Sequence, residues 1–184
     1  GPRCFPHCIS RFIADQMQPA AIDAAKAWRH SAGAMQERRT PDQAIALMAR
    51  ETRCRPGAVP RQFGEFPLGE EQRIFFEGQF AMRTGSGHAF HYQPGAGVTV
   101  ESSSEADPAE SALWLSGSVY AAVAVLNGFY PVHASAVAHN GQVHAFTGPS
   151  GAGKSTLVAG LGQRGLPLFC DDTMLLDLSD PARI

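Results

Sequence analysis

Lysine is almost missing from this chain. Of fifteen basic residues thirteen are arginine, and only Lys26 and Lys154 are lysine. Charge of either sign is scarce, at 17% of residues with a formal net charge of −2, which excludes the broad basic surface that holds nucleic acid. Hydrophobic residues nevertheless reach 44%, so a chain disordered throughout is excluded too. Cysteine is limited to Cys4, Cys8, Cys54 and Cys170, and 184 residues can bury a core without covalent staples. These cysteines therefore read as reduced thiols in a cytoplasmic protein. Cys4 and Cys8 resemble half a zinc site, but no second pair stands at ligand spacing. No long apolar run is unbroken: Ser116, Gly117, Ser118, Asn127 and Gly128 interrupt residues 111–132, which read as a buried helix and not a membrane span. No secretory signal opens the chain, and Gly1-Pro2 reads as a scar of tag removal that takes no part in the fold. Internal repeats and low-complexity tracts are missing as well.

What is present falls into three parts. Residues 3–55 form a helical segment, with Ala, Met and Leu recurring at helical spacing from Pro19 to Arg53. Inside it Thr40-Pro41-Asp42-Gln43 supplies a capping box with proline at the first helical position. Arg55-Pro56-Gly57 breaks the pattern and reads as a linker. Residues 60–105 carry short β-like runs at 73–82, 89–93 and 98–101, punctuated by Gly78, Gly85, Gly87 and Gly95, which predicts a small antiparallel sheet. Residues 107–184 open with the helix-start signature Asp107-Pro108-Ala109-Glu110 and an apolar helix that stops at Asn127-Gly128. Two strands, 132–139 and 142–147, follow around Asn140-Gly141, the pair favoured where both hairpin-turn residues need positive φ. A helix is predicted over 154–164 and strand over 166–178.

The second lysine sits in the one motif that carries chemistry. Gly148-Pro149-Ser150-Gly151-Ala152-Gly153-Lys154-Ser155 fits G-x-x-x-x-G-K-[ST] completely and lies between a predicted strand and a predicted helix, the context the motif requires. Glycines allow successive backbone N–H groups to point at phosphate oxygens, and the helix adds its positive end. In this pattern Lys154 reaches the terminal phosphates, the Ser155 hydroxyl ligates Mg²⁺, and Thr156 completes the nucleotide-binding stretch. Only 17 and 18 residues after Lys154 come two carboxylates, Asp171 and Asp172, able to stand beside a metal ion or an attacking hydroxyl.

Taken together, Val132-His133-Ala134-Ser135-Ala136-Val137, the glycine loop, Arg164-Gly165 and Asp171-Asp172 resemble the HPr kinase/phosphorylase family. The likeness extends to its relatives in bacterial peptide-modification clusters, including those for lasso peptides. His133 precedes Gly148 by 15 residues, a spacing similar to the family's, and the likeness covers residues 114–178. It implies an α/β fold with a P-loop core of the HPr kinase and PEP carboxykinase type. It further implies a cytoplasmic enzyme that uses ATP and Mg²⁺ to phosphorylate a serine or other hydroxyl of a peptide or small protein, and that self-associates.

Carried over residue by residue, the resemblance places the phosphates on Lys154 and the metal on Ser155 and Asp171. Catalysis falls to His133 with the aspartate pair. Neighbouring strand residues face opposite ways, so one aspartate is the base, and Asp172 is the better choice. The family also carries, well downstream, an acidic metal ligand, a signature loop and an arginine, none of which occurs up to Ile184. Either a longer protein supplies them or the kinase is degenerate, so a non-catalytic nucleotide sensor or assembly module, or another P-loop ATPase, remains the alternative. Simpler readings cover the rest: His139 and His144 as exposed turn residues, His88 and His91 without a role, Cys170 as a small strand residue, and Trp28 and Trp114 as core or interface.

Overall fold

The computed structural model describes residues 38–177 and Ser179. The N-terminal part of the predicted helical segment, with Cys4, Cys8, Lys26 and Trp28, lies outside these residues, as does the end of the last predicted strand. The protein is a mixed α/β structure that divides into two compact units, the first ending at Leu126 and the second beginning at Asn127.

In the first unit, α1 (Pro41–Glu51) starts at the predicted capping box. Thr40 Oγ1 accepts from the Gln43 N–H at 3.2 Å, and Gln43 Oε1 accepts from the Thr40 N–H at 2.8 Å. The main sheet has the order β1-β7-β6-β5-β4, from β1 (Cys54–Pro56), β4 (Arg73–Phe76), β5 (Gln79–Arg83), β6 (His88–Gln93) and β7 (Gly97–Ser102). The remaining pair, β2 (Gln62–Phe63) and β3 (Phe66–Pro67), forms a separate ribbon. Strands β4 to β7 form the expected antiparallel meander. The linker expected at residues 55–57 is instead part of the sheet. Strand β1 runs parallel to β7, pairing Cys54 with Val98 and Pro56 with Val100, and the Gly57 N–H donates to Val100 O at 3.0 Å. Pro56 is tolerated because β1 is an edge strand, where a missing N–H costs no ladder bond.

The alternation of side chains gives this sheet two different faces. One presents Phe80, Met82, Phe90, Tyr92 and Val98, all at most 2% exposed. The other carries Ile74, Ala81 and Ala89, covered by Val59, Phe63 and Leu68. That cover is pinned by charge: Glu101 Oε2 accepts from the Val59 N–H at 2.6 Å, while Arg83 donates to Val59 O at 3.2 Å and to Glu101 Oε1 at 3.1 Å. Buried histidines complete the sheet. The His88 ring bridges the Ser102 hydroxyl and the Asp107 carbonyl, and His91 meets Gln79 Oε1 at 2.8 Å and the edge of Phe63.

Asp107 caps α2 (Pro108–Trp114), accepting from the Ala109 N–H at 2.9 Å with Pro108 at the first position. A π-helical turn at Leu115–Val119 links it to α3 (Tyr120–Leu126), which packs on β5. This stretch is long and apolar enough to cross a membrane by length and composition, a test that core helices of soluble proteins also pass. The expected buried helix is buried only along one stripe, Val119, Ala122, Val123 and Ala124, while Leu113 is 72% exposed. Because that stripe packs in the first unit, the helix belongs there, and the break falls after it and not at residue 107.

The second unit is built on β8 (Phe129–His139). Strand β9 (Gln142–Thr147) pairs along one side of it, and β10 (Leu168–Cys170) and β11 (Thr173–Asp177) pair along the other, all antiparallel. Helix α4 (Lys154–Gly162) packs on β8 and β10.

One interaction in the first unit has a measurable pH signature. Glu51 is 1% exposed, and burial alone would push its carboxyl up. Hydrogen bonds from the Gly95 N–H and the Tyr92 hydroxyl, both at 2.8 Å, and from Arg50 outweigh this and hold it below the usual carboxylate range. A depressed native pKa stabilises the fold above the unfolded value, and the contribution disappears as pH falls through the native one. Glu51→Gln is therefore expected to lose about 1–3 kcal/mol at neutral pH. The gap to wild type should narrow on acidification, as read by urea unfolding at stepped pH; a gap independent of pH contradicts the role of the ionised carboxylate.

Candidate functional site

Every residue singled out for chemistry lies in the second unit, and the register of β8 decides where each goes. Asn140 and Gly141 adopt φ of 50° and 73°, the two-residue turn expected, and set Ala134 opposite Thr147 and Ala136 opposite Ala145. The glycine loop leaves β9 directly after Thr147 and ends at Gly153, whose φ of 84° makes it a left-handed cap to α4. The Ala152 N–H donates to Pro149 O at 3.2 Å and closes the turn. Lys154, only 9% exposed, folds back so that Nζ donates to the carbonyls of Gly148 and Pro149 at 3.0 Å each. Ser155, the next residue, is exposed.

On the opposite side of β8 the two aspartates do not lie in the single strand that the sequence predicts over residues 166–178. They form a bend between β10 and β11, with Asp172 at a φ of 77°. The physical reason lies in the backbone: the register is unbroken, Cys170 with Ala136 and Thr173 with His133, but the left-handed φ of Asp172 takes the two residues between them out of extended strand. Strand alternation therefore does not separate the aspartates. Their hydrogen bonds do.

Asp171 faces the loop. Its Oδ1 accepts from the hydroxyl of buried Ser135, from the Ser155 hydroxyl at 2.9 Å and from the Asp172 N–H at 3.1 Å. These bonds, led by those of Ser135 and Ser155 and aided by the charge of Lys154, hold its carboxyl below the ordinary aspartate range. Asp172 faces His133: the imidazole Nδ1 is 2.9 Å from the Asp172 carbonyl and 3.2 Å from its Oδ1. A carbonyl oxygen only accepts, so Nδ1 carries a proton, and the tautomer with one proton has its lone pair on Nε2. Cys170 is half-buried beneath Asp171, where burial and then the Asp171 charge push its thiol up, opposite to what a reactive thiolate needs.

The oxygens gathered here are donors that a hard divalent cation could use. No group of three or more His, Cys, Asp or Glu that could hold a metal occurs among the described residues. Magnesium needs no such cage, because it binds through one or two protein oxygens with phosphates and waters filling the octahedron. Ser155 Oγ and Asp171 Oδ2, which takes no hydrogen bond among the described residues, are two such oxygens.

Concavity alone does not find these residues. A 390 Å³ cleft in the first unit is lined by Glu71, Arg73, Glu110 and Trp114, with Arg73 5.8 Å over the Trp114 ring. A 570 Å³ open groove in the second lies along His139, His144 and Leu161. Neither includes a residue of the loop or the aspartate pair. His139 and His144 are exposed beside the turn, as expected. Sequence reading missed Ser135 as a site residue, and its place two residues after His133, on the same face of β8, was the available signal. Compared with family models, curated proteins and solved structures, the chain matches none of them.

The hairpin carries a direct test. A Cβ on Gly141 would meet nothing within 4 Å, so Gly141→Val costs backbone strain alone. A destabilisation of about 1–3 kcal/mol is expected. Gly141→Asn, with a residue that tolerates the left-handed region, should recover most of it in thermal unfolding. Equal stability of Gly141→Val and wild type would contradict the turn.

Proposed function

We propose that the second unit is a P-loop nucleotide-binding core of the HPr kinase type, and that it transfers a phosphoryl group from ATP to a serine or other hydroxyl of a peptide or small protein. The observation that carries this reading is the Ser155–Asp171 hydrogen bond. It joins the first helical turn after the glycine loop to an acidic bend across the sheet, and so sets two hard oxygens side by side at the loop's mouth. Mg²⁺ held there with ATP would neutralise charge on the phosphates. The chain's own residues would do the rest.

The loop amides and Lys154 would bind the phosphates, with Nζ exchanging the carbonyls of Gly148 and Pro149 for phosphate oxygens. Asp171 would orient the Ser155 hydroxyl and supply an oxygen to the cation. His133 and Asp172 would form the proton-handling pair, since the hydrogen bond at Nδ1 leaves Nε2 free to take the proton of an incoming hydroxyl while the Asp172 carboxylate stabilises the resulting imidazolium. The base is thus a coupled His–Asp unit, with Asp172 acting through His133. The resemblance to the HPr kinase family supports an acceptor among peptide or protein hydroxyls and a cytoplasmic setting.

Calorimetric titration with Mg²⁺–ATP tests the binding half. Lys154→Ala is expected to lose most of the affinity while circular dichroism stays unchanged, and undiminished affinity refutes the loop assignment. The catalytic half is tested by phosphate incorporation into hydroxyl-bearing peptides, followed by mass spectrometry. His133→Ala and Asp172→Asn should lower turnover by about 10²–10⁴-fold, the range of general-base contributions, with little change in ATP affinity. Nucleotide binding without transfer to any peptide or protein fraction would favour a sensor or assembly role.

A further inference from the structure

We propose that Ser135 is a positioning residue of this site, whose buried hydroxyl holds the Asp171 carboxylate so that its second oxygen stays free for a divalent cation. The inference rests on the nucleotide-binding reading of the loop and deepens it.

Ser135 is 0% exposed and lies in an apolar run of β8, between Ala134 and Ala136, both 0% exposed, and ahead of Val137 at 1%. Alanine occupies the positions on either side. A hydroxyl in such surroundings costs free energy unless it is bonded. Its bond is made to Asp171 Oδ1, across the gap where β10 ends and β11 has not begun. That same oxygen receives the Ser155 hydroxyl and the Asp172 N–H, three donors in all, against roughly two lone-pair positions on a carboxylate oxygen. Oδ1 is therefore saturated, whereas Oδ2 takes no hydrogen bond among the described residues.

The three donors differ in permanence. Ser155 is exposed and is itself a cation ligand in the nucleotide-binding reading, so its hydroxyl reorients when a metal arrives. The Asp172 N–H belongs to a bend held at positive φ. Ser135 alone is a side chain locked inside a paired strand, and it is the donor that survives cation binding unchanged. A small hard ion with strict octahedral demands reads any rotation of its carboxylate ligand as lost affinity. Partners that orient metal ligands are worth about 10–100-fold in metal affinity.

The test compares the full chain with Ser135→Ala and Ser135→Thr. Mn²⁺ binding is followed by electron paramagnetic resonance, alone and with ATP, while ATP binding in EDTA and thermal unfolding report on the loop and the fold. Ser135→Ala is expected to bind Mn²⁺ about 10–100-fold more weakly while keeping wild-type ATP affinity in EDTA, and Ser135→Thr, which restores the hydroxyl, should recover metal binding. Wild-type Mn²⁺ affinity in Ser135→Ala overturns the proposal, as does an equal loss of metal-free ATP binding, which would mark Ser135 as a packing residue only. A wild-type chain that binds Mn²⁺ but no ATP refutes the nucleotide reading and leaves the Mn²⁺ comparison to decide Ser135. A wild-type chain that binds neither overturns both.

Discussion

Strand β8 hydrogen-bonds along both its sides, and the second unit's chemistry depends on how those two ladders are arranged. On one side β9 pairs without interruption from Ala134 to His139. The other side is shared between β10 at Ala136 and Val137 and β11 from Phe129 to His133, which leaves a gap opposite Ala134 and Ser135. Asp171 and Asp172 cross it in unbroken register, opposite Ser135 and Ala134, but leave extended strand at the left-handed Asp172. A backbone bond from the Ala134 N–H to Asp172 O, at 3.1 Å, anchors the crossing. The bend thereby delivers one carboxylate to the loop side and the other to His133. Left-handed backbone at Asp172 is the local cost, of order 1–3 kcal/mol, and aspartate is among the residues that bear it best.

Scarcity of charge shapes the first unit in a comparable way. With so few ionisable residues, several sit inside and organise backbone. Arg83 and Glu101 grip both polar groups of Val59, which fixes the segment carrying Phe63 and Leu68 over the sheet. Glu51, at the end of α1, receives Tyr92 from β6 and the Gly95 N–H from the following turn, so it ties a helix to a strand and a loop at once. Buried charges of this kind are poor sources of net stability when compared with apolar replacements, but removing one partner strands the other. They specify which loop lies on which face, a job the apolar residues around them cannot do because hydrophobic contact has no direction.

The π-helical turn at Leu115–Val119 shows a further constraint. Ser116, Gly117 and Ser118 are weak helix formers, and the wider turn there rotates the α3 stripe relative to α2. Helix α3 then packs on β5, with Ala122 and Val123 buried, while Trp114 stays at the cleft under Arg73.

Local signals in the sequence determined the capping box at Thr40, the meander punctuated by glycines, the Asn140-Gly141 hairpin and the strand–loop–helix context of Lys154, because each depends on the φ preference or hydrogen bonding of residues within a few positions of one another. Long-range pairing decided the rest. Arg55-Pro56-Gly57 reads as a break until β7 supplies a partner for its free edge. Residues 111–132 read as one buried helix, yet only the sheet surface selects which stripe is covered. Asp171 and Asp172 look like alternating strand residues, whereas left-handed backbone at Asp172 turns them into a bend with different neighbours for each. Strand alternation sets Ser135 on the face of His133, but nothing local names its partner. Its bond spans 36 residues of chain, and only the folded register of β8 against β10 and β11 brings its hydroxyl to the carboxylate it holds.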